Sequence, residues 1–135
     1  TTVRKTAEAW ALDAQAQGMV ADFPLGVYLS YANANKSDSA TDVNIFNSNT
    51  ADDKTAWAIM VELGVLPNRL TVAAGYRGGN TGAATNDEDN ATTLAAVYTP
   101  LQNLQLQLDY TWYSGDAQTS AAGDQLATLM LFAAF

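Results

Sequence analysis

The sequence predicts an all-β protein, an antiparallel up-and-down transmembrane β-barrel of which about seven strands are present. Three observations predict it. Apolar and polar residues alternate with period two in segments of strand length. Short proline-containing segments alternate with long polar ones between them. Trp10, Tyr31, Trp57, Tyr76, Tyr110 and Trp112 fall on the apolar phase near the segment ends next to the long loops, where a membrane-spanning sheet meets its interface.

Along the chain, residues 9–20 form the first candidate strand, with Trp10, Leu12, Ala14, Ala16, Gly18 and Val20 outward and Asp13, Gln15 and Gln17 inward. Its Ala, Glu and Gln also favour helix, so helix competes here. Residues 26–32 direct Val27, Leu29 and Tyr31 outward. In 57–65 the apolar phase is Trp57, Ile59, Val61, Leu63 and Val65, opposite Ala58, Met60, Glu62 and Gly64. In 70–77, Leu70, Val72, Ala74 and Tyr76 oppose Thr71, Ala73, Gly75 and Arg77. Residues 92–99 direct Leu94, Ala96 and Tyr98 outward. The clearest segment is 104–112, with Leu104, Leu106, Leu108, Tyr110 and Trp112 on one phase and Gln105, Gln107, Asp109 and Thr111 on the other. A helix would scatter both sets.

Turns are expected at Asp22-Phe-Pro-Leu-Gly26, Leu66-Pro-Asn-Arg69 and Thr99-Pro-Leu-Gln-Asn103. Residues 33–54, 78–90 and 114–124, rich in Asn, Asp, Ser, Thr, Gly and Ala, read as loops. Short turns on one rim and long loops on the other are what an up-and-down meander produces.

Composition narrows the chemistry. The 135 residues are 48% hydrophobic, yet no apolar run approaches the roughly 20 residues of a membrane helix. There is no Cys and no His, which removes disulfides, thiolate metal sites, C-x-x-C-H haem attachment and any Ser-His or Cys-His nucleophile from these residues. No enzymatic activity and no cofactor are expected. Six Lys and Arg against fourteen Asp and Glu give a net charge of −8, which disfavours a nucleic-acid partner and favours cations. The start carries no basic and apolar export signal, so such a signal is expected to lie outside the sequence or to have been removed. Asp52-Asp53 and Asp87-Glu88-Asp89 offer oxygen ligands for a cation but lack an EF-hand arrangement, and solvated acidic loop tips are the favoured reading.

The final segment, Gln125-Leu-Ala-Thr-Leu-Met-Leu-Phe-Ala-Ala-Phe135, resembles the closing strand of bacterial outer-membrane β-barrel proteins, with a porin-like architecture before it. In that family a terminal Phe is preceded by alternate apolar residues, matched here by Leu129, Leu131, Ala133 and Phe135. Ala133 is smaller than usual, and Leu126, Met130 and Phe132 are apolar on the nominally inward phase. The resemblance implies recognition of this end by the barrel-assembly machinery, a C-terminus at the periplasmic side of the bacterial outer membrane, and contact with outer-membrane lipid. It makes residues 1–135 the C-terminal part of a single barrel domain. Seven strands with the last ending at the short-turn rim leave an odd number to be supplied elsewhere, since single-chain bacterial barrels have even counts.

The expected function is passive diffusion of small hydrophilic solutes or ions. Asp13, Gln15, Gln17, Glu62, Arg77, Gln105, Gln107 and Asp109 are the candidate lumen residues, and Trp10, Tyr31, Trp57, Tyr76, Tyr110 and Trp112 the candidate aromatic girdle. Alternatives are a structural sheath around a partner such as a multihaem cytochrome, and a soluble β-sandwich binding module. Homo-oligomers and other outer-membrane proteins remain possible partners.

Overall fold

The period-two segments become strands because alternation satisfies a sheet with unlike faces. The computed structural model describes residues 2–117 and 124–134. Its elements are β1 (Arg4–Thr6), β2 (Ala9–Val20), β3 (Phe23–Ala34), β4 (Asp42–Asn44), β5 (Lys54–Leu66), β6 (Leu70–Asn80), β7 (Asn90–Leu101), β8 (Leu104–Ser114) and β9 (Gln125–Ala133). Seven of them form one antiparallel sheet in the order β2-β3-β5-β6-β7-β8-β9, each long strand pairing with the next in sequence. Residues 9–20, where helix competed, are strand throughout. The sheet is open: β2 and β9 are its edges and do not pair.

Two turns sit differently from the sequence expectation. The β2–β3 turn is Ala21-Asp22, both with positive φ (47° and 70°), and Pro24 lies inside β3. Two left-handed residues suit the right-handed twist of a two-residue hairpin better than a proline turn does. Likewise Pro100 lies inside β7, at the register shift between Tyr98 and Leu101 where no ladder donor is demanded of it, and the turn is Gln102-Asn103. Leu66-Pro67-Asn68-Arg69 does turn: Arg69 N donates to Leu66 O at 3.0 Å, and Asn68 takes φ 56°. A register shift between Gly64 and Leu66 leaves Val65 out of the paired alternation expected for it.

Directly paired residues share a face, so the register tests every strand phase together. One row across the sheet is Ala16, Val27, Val61, Ala74, Leu94, Tyr110 and Ala127, and the next on that face is Gly18, Leu25, Leu63, Val72, Ala96, Leu108 and Leu129. Between them on the opposite face run Gln17, Gly26, Glu62, Ala73, Ala95, Asp109 and Thr128. All seven strands thus agree on one apolar and one polar face. β9 departs only in setting Leu126, Met130 and Phe132 on the polar face.

The apolar face is bare. Among the described residues the buried apolar set is Ala34 and Ala91, while Leu12, Leu94, Leu108 and Leu129 are 65%, 48%, 52% and 72% exposed. Among the described residues no second layer is packed on the sheet; the other pairing is the two-stranded one of β1 with β4. In β6 and β7 the apolar residues Val72, Tyr76, Leu94 and Tyr98 are more exposed than Ala73, Gly75, Ala95 and Val97 on the other face. In these two strands the face that carries the large apolar side chains is thus the more exposed one.

Both strand ends and aromatics drift across the sheet. The upper end of pairing moves from Ala9 in β2 to Trp112–Gln125 between β8 and β9, two rows lower on the apolar face than Trp10. The strand ends are therefore staggered across the sheet.

Close approach of β5 to β6 requires Gly79. A Cβ there would drive into the backbone carbonyl of Thr55 and lie 3.0 Å from Ala56 Cα. Gly79→Ala is therefore expected to lower folding stability by about 1–3 kcal/mol, the cost of overpacking a site whose neighbours are backbone, read as a shifted denaturation midpoint with an unchanged slope.

Candidate functional site: the polar face and its long-loop rim

The short turns 21–22, 67–69 and 102–103 all lie at one end of the sheet, and the connections between β3 and β5, β6 and β7, and β8 and β9 at the other. Every predicted polar candidate, Asp13, Gln15, Gln17, Glu62, Arg77, Gln105, Gln107 and Asp109, sits on the one polar face. Five of them fall into three local groups. Asp13 accepts from Ser30 Oγ at 2.6 Å across the β2–β3 pair. Gln17 Nε2 donates to Tyr28 Oη at 3.0 Å, and that hydroxyl donates to Glu62 Oε2 at 3.3 Å. Gln107 Nε2 donates to both oxygens of Asp109, at 3.2 and 2.9 Å. Gln105 stands opposite Phe132 nearer the short turns, and Gln15 opposite Tyr28.

Arg77 is occupied. Its guanidinium makes a forked pair with Asp89 at 3.1 and 3.3 Å and lies 6.0 Å from the Tyr113 ring centre. A bidentate guanidinium–carboxylate pair fixes orientation as well as charge. Beside it a hollow of about 460 Å³ opens over Ala11, Ala32, Ala56 and Gly79, which stand in one row across four strands, with Asp13, Lys54, Arg77 and Asp89 at its sides. Small residues make the hollow; charged ones edge it.

The aromatic candidates occupy the apolar face and meet in pairs. Trp10–Tyr31 and Trp57–Tyr76 have ring centres 5.2 Å apart, and Tyr110–Trp112 are edge-to-face at 4.6 Å. Tyr110 also hydrogen-bonds Gln125. From Trp10 through Tyr31 and Trp57 to Tyr76 and Trp112 the band descends with the strand ends. Leu129, Leu131 and Ala133 share the apolar face of β9; Phe135 lies outside the described residues.

The long loops hold structure that sequence pattern alone missed. Residues 35–53 fold around three buried polar side chains, Ser37, Asn44 and Asn47, each 2–3% exposed. Asn44 Nδ2 donates to the carbonyls of Glu8 (2.8 Å) and Asn35 (2.6 Å), and its Oδ1 accepts from Glu8 N and Phe46 N. Ser37 Oγ donates to Asn47 O at 2.7 Å and accepts from Asn44 N at 2.9 Å. This pins β1 alongside β4. Asn49 Nδ2 then donates to Thr81 O, joining this loop to the next, and Glu88 N donates to Asp116 Oδ1 at 2.8 Å, joining that loop to the third. The described parts of the three long loops are thus linked along the rim. The only sequence signal was the asparagine spacing at 44, 47 and 49.

Asp87, Glu88 and Asp89 do not converge: Asp89 pairs with Arg77, while Asp87 O and Glu88 O accept the backbone N–H groups of Thr81 and Ala117. Among the described residues no group of three or more His, Cys, Asp or Glu is arranged to hold a metal ion. Compared with protein-family models, curated proteins and solved structures, the chain matches none.

Proposed function

We propose that this sheet is part of the wall of an outer-membrane pore through which small hydrophilic solutes and ions diffuse passively. The observation that carries the reading is the seven-strand apolar face, continuous and uncovered, backed by a polar face that is the more sheltered in β6 and β7. Fully burying one large apolar side chain is worth roughly 1.5–3 kcal/mol, so a bare face of this extent demands an apolar environment. Lipid supplies it without further protein. Water in the lumen would satisfy Asp13, Gln15, Gln17, Glu62, Arg77, Gln105, Gln107 and Asp109 without the cost of burying polar groups. Closure requires strands beyond these seven, because β2 and β9 run in the same direction and cannot join antiparallel.

In this reading the short turns face the periplasm, the sequence pattern Leu129, Leu131, Ala133 and Phe135 is the assembly signal, and Trp10, Tyr31, Trp57, Tyr76, Tyr110 and Trp112 mark the outer interface. Solute passage needs no catalytic group or cofactor.

The test is reconstitution of the intact native protein into vesicles and planar bilayers. Stepwise conductance is expected. Lipids brominated near the headgroup should quench Trp10, Trp57 and Trp112 more than lipids brominated at the chain terminus. Protein that stays soluble without detergent and passes no current would overturn the pore.

A further inference from the structure

We infer that the pore prefers cations and that Glu62 and Asp109 determine the preference; the inference rests on the pore reading above. Five charged residues lie on the polar face of the seven-stranded sheet: Asp13, Lys54, Glu62, Arg77 and Asp109. The two cations stand toward the long-loop rim. Lys54 pairs with Ala34 in the last register position of β3 and β5, and Arg77 is neutralised by its forked pair with Asp89. Farther down the wall the charge is all of one sign.

Glu62 and Asp109 stand in the same transverse row, on β5 and β8, with Ala73 and Ala95 between them. Three interstrand steps separate them by about 14 Å. Small neighbours leave both carboxylates facing open space rather than a shared proton or a cation. Each is also held. Tyr28 Oη donates to Glu62, and the Tyr28 ring lies over Gly26, where a Cβ would come within 2.9 Å of Oη. Gly26 belongs to that same row, so the absence of a side chain there is what seats the tyrosine that orients Glu62. Gln107 holds Asp109 from the adjacent row. Two oriented carboxylates at one depth, with no basic residue in their row, set a fixed negative potential that raises local cation concentration and lowers that of anions.

The experiment is the reversal potential of the intact protein in planar bilayers under a KCl gradient. The wild-type protein is expected to show cation preference; Glu62→Gln and Asp109→Asn each shift the reversal potential toward zero, and the double variant shifts it further with single-channel conductance retained. Tyr28→Phe, which keeps the charge but frees it, should shift the potential less than Glu62→Gln. Anion preference in the wild type, or a double variant that conducts with an unchanged reversal potential, overturns the inference and leaves the pore standing. An inserted protein that passes no current overturns both. Should Glu62→Gln fail to insert, Asp109→Asn alone decides the matter, since the two carboxylates are held by separate partners.

Discussion

Leu108→Arg is expected to destabilise the folded protein in a lipid bilayer by about 2–4 kcal/mol, whereas the neighbouring Gln107→Arg should fall within about 0.5 kcal/mol of the wild type. The two positions adjoin on β8 but stand on opposite faces, Leu108 in register with Ala96 and Leu129 and Gln107 with Val97 and Met130. Leu108 is 52% exposed. If that exposure were to water, an arginine would be tolerated, because exposed substitutions away from special features cost little. If it is to hydrocarbon, the guanidinium must be dragged toward the interface or left unsolvated. At position 107 the new arginine would meet the aqueous face beside Asp109. Equilibrium urea unfolding in vesicles, followed by tryptophan emission, reads the difference. Equal stability of the two variants would mean that the apolar face is not the lipid face.

Asn44→Ala should have the largest effect outside the sheet. Its side chain satisfies the Glu8 and Phe46 N–H groups and the Glu8 and Asn35 carbonyls from a position 2% exposed. Alanine keeps none of these bonds, and a buried group left without a partner costs about 1–3 kcal/mol. The loss is expected to be local. Amide exchange at Arg4, Ile45 and Asn47, whose N–H groups donate to Thr41, Thr6 and Asn44, should accelerate by roughly ten-fold or more, since each 1.4 kcal/mol is a factor of ten. Exchange in β6 to β8 should not change. Asn35→Ala is the contrasting variant: its side chain is exposed and makes one bond to Glu8 Oε2, so exchange there should change little. Acceleration throughout the sheet in Asn44→Ala would mean that the linked loops and the sheet unfold as one unit.

Residues 9–20, expected as strand with helix competing, show where local propensity loses. Ala, Glu and Gln favour helix one residue at a time, but Trp10, Leu12, Ala14 and Ala16 each lie one residue from a polar or small neighbour on the other phase, and the β3 ladder secures that phase from Ala9 to Val20. Pro24 and Pro100 show the converse. Proline was read as a turn residue because its φ suits turns, yet left-handed Ala21 and Asp22 and the shift beside Leu101 place both turns a step away. Turn position depends on which backbone pair closes the ladder.

The sequence by itself determined the all-β class, the number of long strands, the face that each described candidate residue occupies and the alternation of short turns with long loops. It could do so because side-chain direction in a strand repeats every two residues, so each segment carries its own phase. Tertiary structure alone decided the rest: that Arg77 is spent on Asp89, that Tyr28 reaches Glu62 over Gly26, that Asn44 ties residue 8 to residue 35, and that β2 and β9 stay unpaired. Those contacts join residues as many as 36 apart in the chain. They depend on register and loop path, which no local periodicity encodes.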